Sequence, residues 1–123
     1  MQKLSNIIIN EGEYAVDILV YANDETYKRV LITKKHVMKK YKYMANVEEV
    51  LNRYSGRAIS SVSIEDYTPT PNYPNGGMCV KLNLCESVKM NNKGVVASFP
   101  KESITLYECK FLASAPKSHT LVV

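Results

Sequence analysis

The chain has 123 residues, of which 46% are hydrophobic and 23% charged, with five glycines and five prolines. That is enough for one globular domain with its own core, and it excludes a collagenous, low-complexity or wholly disordered chain. Formal net charge is +4, from 16 Lys and Arg against 12 Asp and Glu. Residues 1–123 are therefore expected to form a single domain, with 113–123 as a loosely attached tail. No apolar run approaches the roughly 20 residues that span a bilayer, and Ile7 to Ile9 is too short for a signal-peptide core. A cytoplasmic location and no membrane partner are the expectation. Three cysteines, an odd number, suit a reducing compartment better than a disulfide framework.

In chain order, Ile7 to Ile9 reads as a short strand, cut off by Asn10, Glu11 and Gly12. From Glu13 to Ala22 the residues alternate, with Tyr14, Val16, Ile18 and Val20 on one side, which predicts a half-buried strand. Asn23, Asp24 and Glu25 make a polar turn, and Tyr27 to Thr33 returns as the hairpin partner. The period then changes. Val37, Tyr41, Met44, Val47, Leu51 and Tyr54 recur at steps of three and four, an amphipathic stripe that predicts helix between 34 and 55, as one long helix or two short ones meeting near Ala45. Thr33 is the candidate N-cap and Gly56 the residue just past the end; Asn46 followed by Glu49 resembles a second capping box.

After Gly56, Ala58 to Ile64 alternates as a strand. An irregular loop from Tyr67 to Gly77 holds three prolines, and Met78 to Leu84 alternates with Met78, Val80, Leu82 and Leu84 inward. A turn over Asn91 to Gly94 leads into a strand at Val95 to Phe99, Pro100 breaks it, and Ser103 to Leu112 supplies another. Thr120 to Val123 is a candidate edge strand. There is no internal repeat. The expected fold is α+β: a β-hairpin, the helical segment, then a β-meander, in a mostly antiparallel sheet with the helical segment packed on one face.

Positive charge is concentrated. Residues 28–42 hold Lys28, Arg29, Lys34, Lys35, Lys39, Lys40 and Lys42 with no acid, a net +7, whereas residues 1–27 carry −4 and the remainder +1. On a helical wheel Lys35, Lys39 and Lys42 lie opposite the apolar stripe, so such a face, with Tyr43 stacking on an unpaired base, has the chemistry to neutralise about five phosphates or to meet an acidic protein surface. The competing interpretation is an ordinary solvated helix face. Lysine in place of arginine argues against bidentate base reading, so contact with nucleic acid would be mainly to the backbone. Tyr67 and Tyr73, beside the proline-rich loop, are candidate interface anchors or else rings that pack the loop onto the domain.

Other chemistry is thin. Cys79 and Cys85 lie about 20 Å apart on a straight strand and cannot share a zinc ion, so neither a metal nor any other cofactor is expected. Paired acids at Glu48 and Glu49, and at Glu65 and Asp66, sit where acids are common for local reasons. His36 and His119 would have to meet from distant positions to cleave a phosphodiester, which leaves a small enzyme of that kind as the weakest reading. The expectation is a small non-enzymatic cytoplasmic binding protein that acts stoichiometrically. Its basic helix would contact nucleic acid or a nucleic-acid-handling protein complex. The competing expectation is a self-assembling structural or assembly protein, with a small homo-oligomer as its sign. Small size and a lysine- and asparagine-rich composition match accessory proteins of phages or mobile elements, which would place it in the host cell cytoplasm; that association rests on composition and not on a site.

Overall fold

The computed structural model describes residues 2–12, 14–33, 37–91, 94–99, 101–111 and 119–122. Two four-stranded sheets share one core. The first has the order β1 (Leu4–Glu11), β2 (Ala15–Ala22), β3 (Tyr27–Thr33) and β10 (His119–Val122); the second runs β4 (Val37–Met44), β9 (Glu102–Phe111), β6 (Gly77–Leu84) and β5 (Ile59–Tyr67). A separate hairpin pairs β7 (Ser87–Asn91) with β8 (Gly94–Phe99), and α1 (Val47–Tyr54) is the one helix among the described residues. Every strand pair is antiparallel.

Alternation places the core as expected from the sequence. Val16, Ile18 and Val20 from β2 and Val30 and Ile32 from β3 are buried, and they join Met78, Val80, Leu82 and Leu84 from β6 in one cluster. Each fully buried side chain of this kind contributes about 1.5–3 kcal/mol. Tyr14, read as an inward residue, instead precedes β2 and is 81% exposed. The polar turn after β2 is present, with Glu25 in the left-handed region at φ 68°. Thr26 ties it down, its amide and hydroxyl both donating to Asp24 Oδ1. Those bonds hold the Asp24 carboxyl below its ordinary pKa.

The helix over 34–55 is a correction. Residues 37–44 are strand β4, and among the described residues of this segment only Val47–Tyr54 is helical. The stripe of Val37, Tyr41 and Met44 at steps of four and three comes from an irregular strand. Val37 pairs with Phe111 and Lys42 with Cys109, so β4 advances five residues while β9 advances two. Extra residues in one strand break the period of two and imitate a helical repeat. Thr33, the candidate N-cap, accordingly ends strand β3, and the described helix takes Asn46 as its N-cap. The basic face built from Lys35, Lys39 and Lys42 on one helix is lost with it: Lys39 and Lys42 lie on β4, and Lys34, Lys35 and His36 lie outside the described residues.

The second capping signal marks the true helix. Asn46 is the N-cap, its side chain accepting from the Glu49 amide at 3.1 Å, and Gly56 follows the C-terminus at φ 85°. Val50 is buried, with Val47, Leu51 and Tyr54 packed against the core. Asn46→Ala should cost about 1 kcal/mol, read as a lower melting midpoint with the β-sheet signal unchanged. Next to the helix, Arg57 donates to Glu102 Oε1 at 3.2 Å. The Tyr54 hydroxyl and Arg57 together hold the Glu102 carboxyl below its ordinary pKa.

A bulge in β9 explains a feature that strict alternation does not predict. Val80 pairs with Tyr107 but Lys81 pairs with Thr105, which leaves Leu106 as the extra residue, and Leu106 and Tyr107 are both 0% exposed. The Tyr107 hydroxyl is buried without a hydrogen-bond partner among the described residues. Burial pushes its pKa up, with Cys109 and Glu11 adding to the shift. Because an unsatisfied buried hydroxyl costs about 1–3 kcal/mol, Tyr107→Phe should raise the melting midpoint. A fall of the midpoint would show that the hydroxyl is satisfied.

Candidate functional site

The bases of the 28–42 segment are divided between the two sheets. Arg29, on the outward side of β3, makes a two-pronged bond to Asp17 of β2, with both N···O distances at 2.8 Å. Those bonds raise the guanidinium pKa further. Lys42 shares the inward side of β4 with its partner Cys109 and is bonded to Glu11 at the end of β1, tying the sheets together. Lys28 stands opposite Val20, whose side chain is buried, and so faces the space between the sheets. Lys39 and Lys40 lie on β4, an edge of its sheet, where lysine is a common guard against edge-to-edge pairing. Tyr43 is 52% exposed, beside Glu108.

Tyr67 and Tyr73 are brought together. Their ring centroids are 5.2 Å apart, the Tyr73 hydroxyl donates to Glu108 Oε1 at 3.0 Å, and the Lys110 ammonium sits 4.9 Å from the Tyr73 ring centroid. The bond to Glu108 raises the Tyr73 pKa. Burial, then Cys79 and Glu108, raise that of Tyr67. These contacts fasten the proline-rich loop to the outer side of the second sheet, beside buried Cys79. Both rings are engaged within the chain.

Sheet register builds a different surface. Inward burial of Ile7, Val16, Ile18, Val20, Val30 and Ile32 turns the alternate residues of β1–β2–β3 outward. Ile8 pairs with Leu19, which pairs with Arg29; Asn6 pairs with Tyr21, which pairs with Tyr27. Tyr21 and Tyr27 are in ring contact at 5.5 Å, Tyr27 is 45% exposed and Ile8 40%. Beside the tyrosine pair lies a shallow hollow of about 400 Å³, whose wall includes Ser5, Asn6, Ile8 and Tyr21. On the opposite side of the β2–β3 hairpin a narrower cavity of about 160 Å³ opens between the sheets, lined by Val20, Ala22, Ile59 and Val62 with Lys28 and Tyr27. Tyr21 lines the hollow and Tyr27 the cavity, so the tyrosine pair separates the two concavities.

The alternation of β2 already turns Leu19 and Tyr21 outward, so half of this surface is present in the sequence pattern. That Tyr27 meets Tyr21, and Ile8 meets Leu19, follows from register alone. His36 is outside the described residues, and His119 is placed on β10 by its backbone. Among the described residues no three His, Cys, Asp or Glu side chains gather as a metal site would require. No helix among them is long and apolar enough to cross a membrane. No family model matches the chain, and neither a curated protein nor a solved structure is significantly similar to it.

Proposed function

We propose that this chain is a non-enzymatic protein-binding module that acts by occupying a partner protein's surface, with the outward face of β1–β2–β3 as its contact. The observation that carries the reading is the apolar content of that face: Ile8, Leu19, Tyr21, Tyr27 and Leu31 are interspersed with Ser5, Asn6, Asn10, Asp17 and Arg29 on it. A sheet with one face on the core and one face in water ordinarily alternates apolar inward and polar outward. Contiguous apolar surface on a small domain marks an interaction site. Tyrosine supplies large contact area at small entropic cost, and the Asp17–Arg29 pair gives the patch a polar element that sets orientation.

The phosphate-binding reading has less support from the geometry, because Arg29 and Lys42 are committed to acids of the same chain and Lys28 faces the cavity. The two readings separate in one titration. Anisotropy of labelled single-stranded and duplex DNA and RNA is expected to show no saturable binding at about 0.15 M salt. Saturable binding with a log–log salt slope near −4 would replace the protein-partner reading with contact through about four or five phosphates.

A further inference from the structure

The cavity between the sheets combines apolar walls with one cation, Lys28, that is free among the described residues, a combination that fits a particular class of small ligand. Val20 and Ala22 wall one side and Ile59 and Val62 the other, and the volume is about 160 Å³. A dry cavity of about 150 Å³ holds a guest of benzene size, so the room here suits a ligand of roughly six heavy atoms. The polar groups at the rim are not equivalent. Gln2 Nε2 donates to Thr26 Oγ1 at 2.7 Å, and the Thr26 hydroxyl donates to Asp24 Oδ1, so those two are occupied with each other and with the turn. Lys28, held toward the cavity by its pairing with Val20, has no ion pair or hydrogen bond among the described residues. A ligand's polar end therefore meets an ammonium donor, and its charge is best matched by an anion.

We propose that this cavity binds a short branched aliphatic monocarboxylate, with its alkyl group between Val20, Ala22, Ile59 and Val62 and its carboxylate on Lys28 Nζ. Two sources present this chemistry: a free short-chain acid, and the C-terminal carboxylate of a peptide ending in valine. The alkyl group sits on the inward side of the first sheet, away from the proposed docking face, with Tyr27 bordering both.

The test is a two-dimensional NMR titration of the full chain with isovalerate, with acetyl-glycyl-valine, and with isoamyl alcohol as the uncharged counterpart. Saturable shifts at Val20, Ala22, Ile59 and Val62 are expected for isovalerate or for the peptide, with Kd in about the millimolar range. Whichever of the two binds more tightly identifies the source. Lys28→Gln should weaken the carboxylate by about tenfold or more while leaving alcohol binding unchanged. Val62→Phe, which fills the cavity, should abolish both. Absence of saturable shifts with either carboxylate overturns the proposal. So does equal affinity for acid and alcohol in the unmodified chain, or binding that survives Val62→Phe in a variant whose spectrum remains folded.

Discussion

Gly77→Ala is expected to be a strongly damaging single-methyl change. A Cβ at position 77 would lie 2.3 Å from the Cys109 carbonyl oxygen and 3.4 Å from the Lys110 Cα, all backbone of the neighbouring strand β9. Backbone cannot swing aside as a lysine tail can, so β6 and β9 would have to part at the central pairing of the second sheet. Overpacking of this kind costs about 3 kcal/mol, which for a domain of this size lowers the melting midpoint by roughly 10 °C. Gly56→Ala is the matched control. Its φ of 85° penalises a side chain, but nothing lies within 4 Å of the added carbon, so about 1 kcal/mol is expected. Equal midpoints for the two variants would mean that β6 and β9 are not as close as described.

The second large effect is on binding. Tyr21→Ala combined with Tyr27→Ala should weaken the proposed complex by about a thousandfold, because buried tyrosine anchors commonly carry about 2 kcal/mol each. Fold stability should change little. The rings face away from the core and contact each other at 5.5 Å, a contribution of about 0.5–1.5 kcal/mol. Tyr21→Phe with Tyr27→Phe should retain most of the affinity. Comparable loss from Ser61→Ala with Ser63→Ala, on the outer side of the second sheet, would move the contact surface there. Affinity by surface plasmon resonance and midpoints by differential scanning calorimetry distinguish lost contact from lost structure.

Much of the fold was legible where local pattern and tertiary environment agree. The β2–β3 hairpin announced itself through the alternation of Val16, Ile18 and Val20 and the turn at Asn23 to Glu25, and the inward set of β6 is as its alternation indicates. Asn46 and Gly56 bracketed the helix because capping is local chemistry. Strand β4 was not legible. Its register slip against β9 disguises the strand period, and what a strand pairs with is set by residues far along the chain. The same distance hides the role of Lys42, whose acid partner Glu11 lies 31 positions away. A window rich in lysine looked like a face, yet two of its bases serve as ties within the fold. The proposed docking surface was half visible, since Tyr21 and Leu19 turn outward by alternation, and half invisible, since Tyr27 and Ile8 join them only through sheet register.

The face of β1–β2–β3 is tested most directly by site-specific photo-crosslinking in the cells that produce the chain. A photoreactive phenylalanine analogue at position 27 is compared with the same analogue at position 63 on the other sheet. The expected result is one discrete protein adduct from position 27, absent from position 63 and lost when Leu19→Lys is added in a chain that remains folded. Adducts to nucleic acid, adducts to a second copy of the chain, or a protein adduct of equal yield from position 63 would each contradict docking of a partner protein on this face.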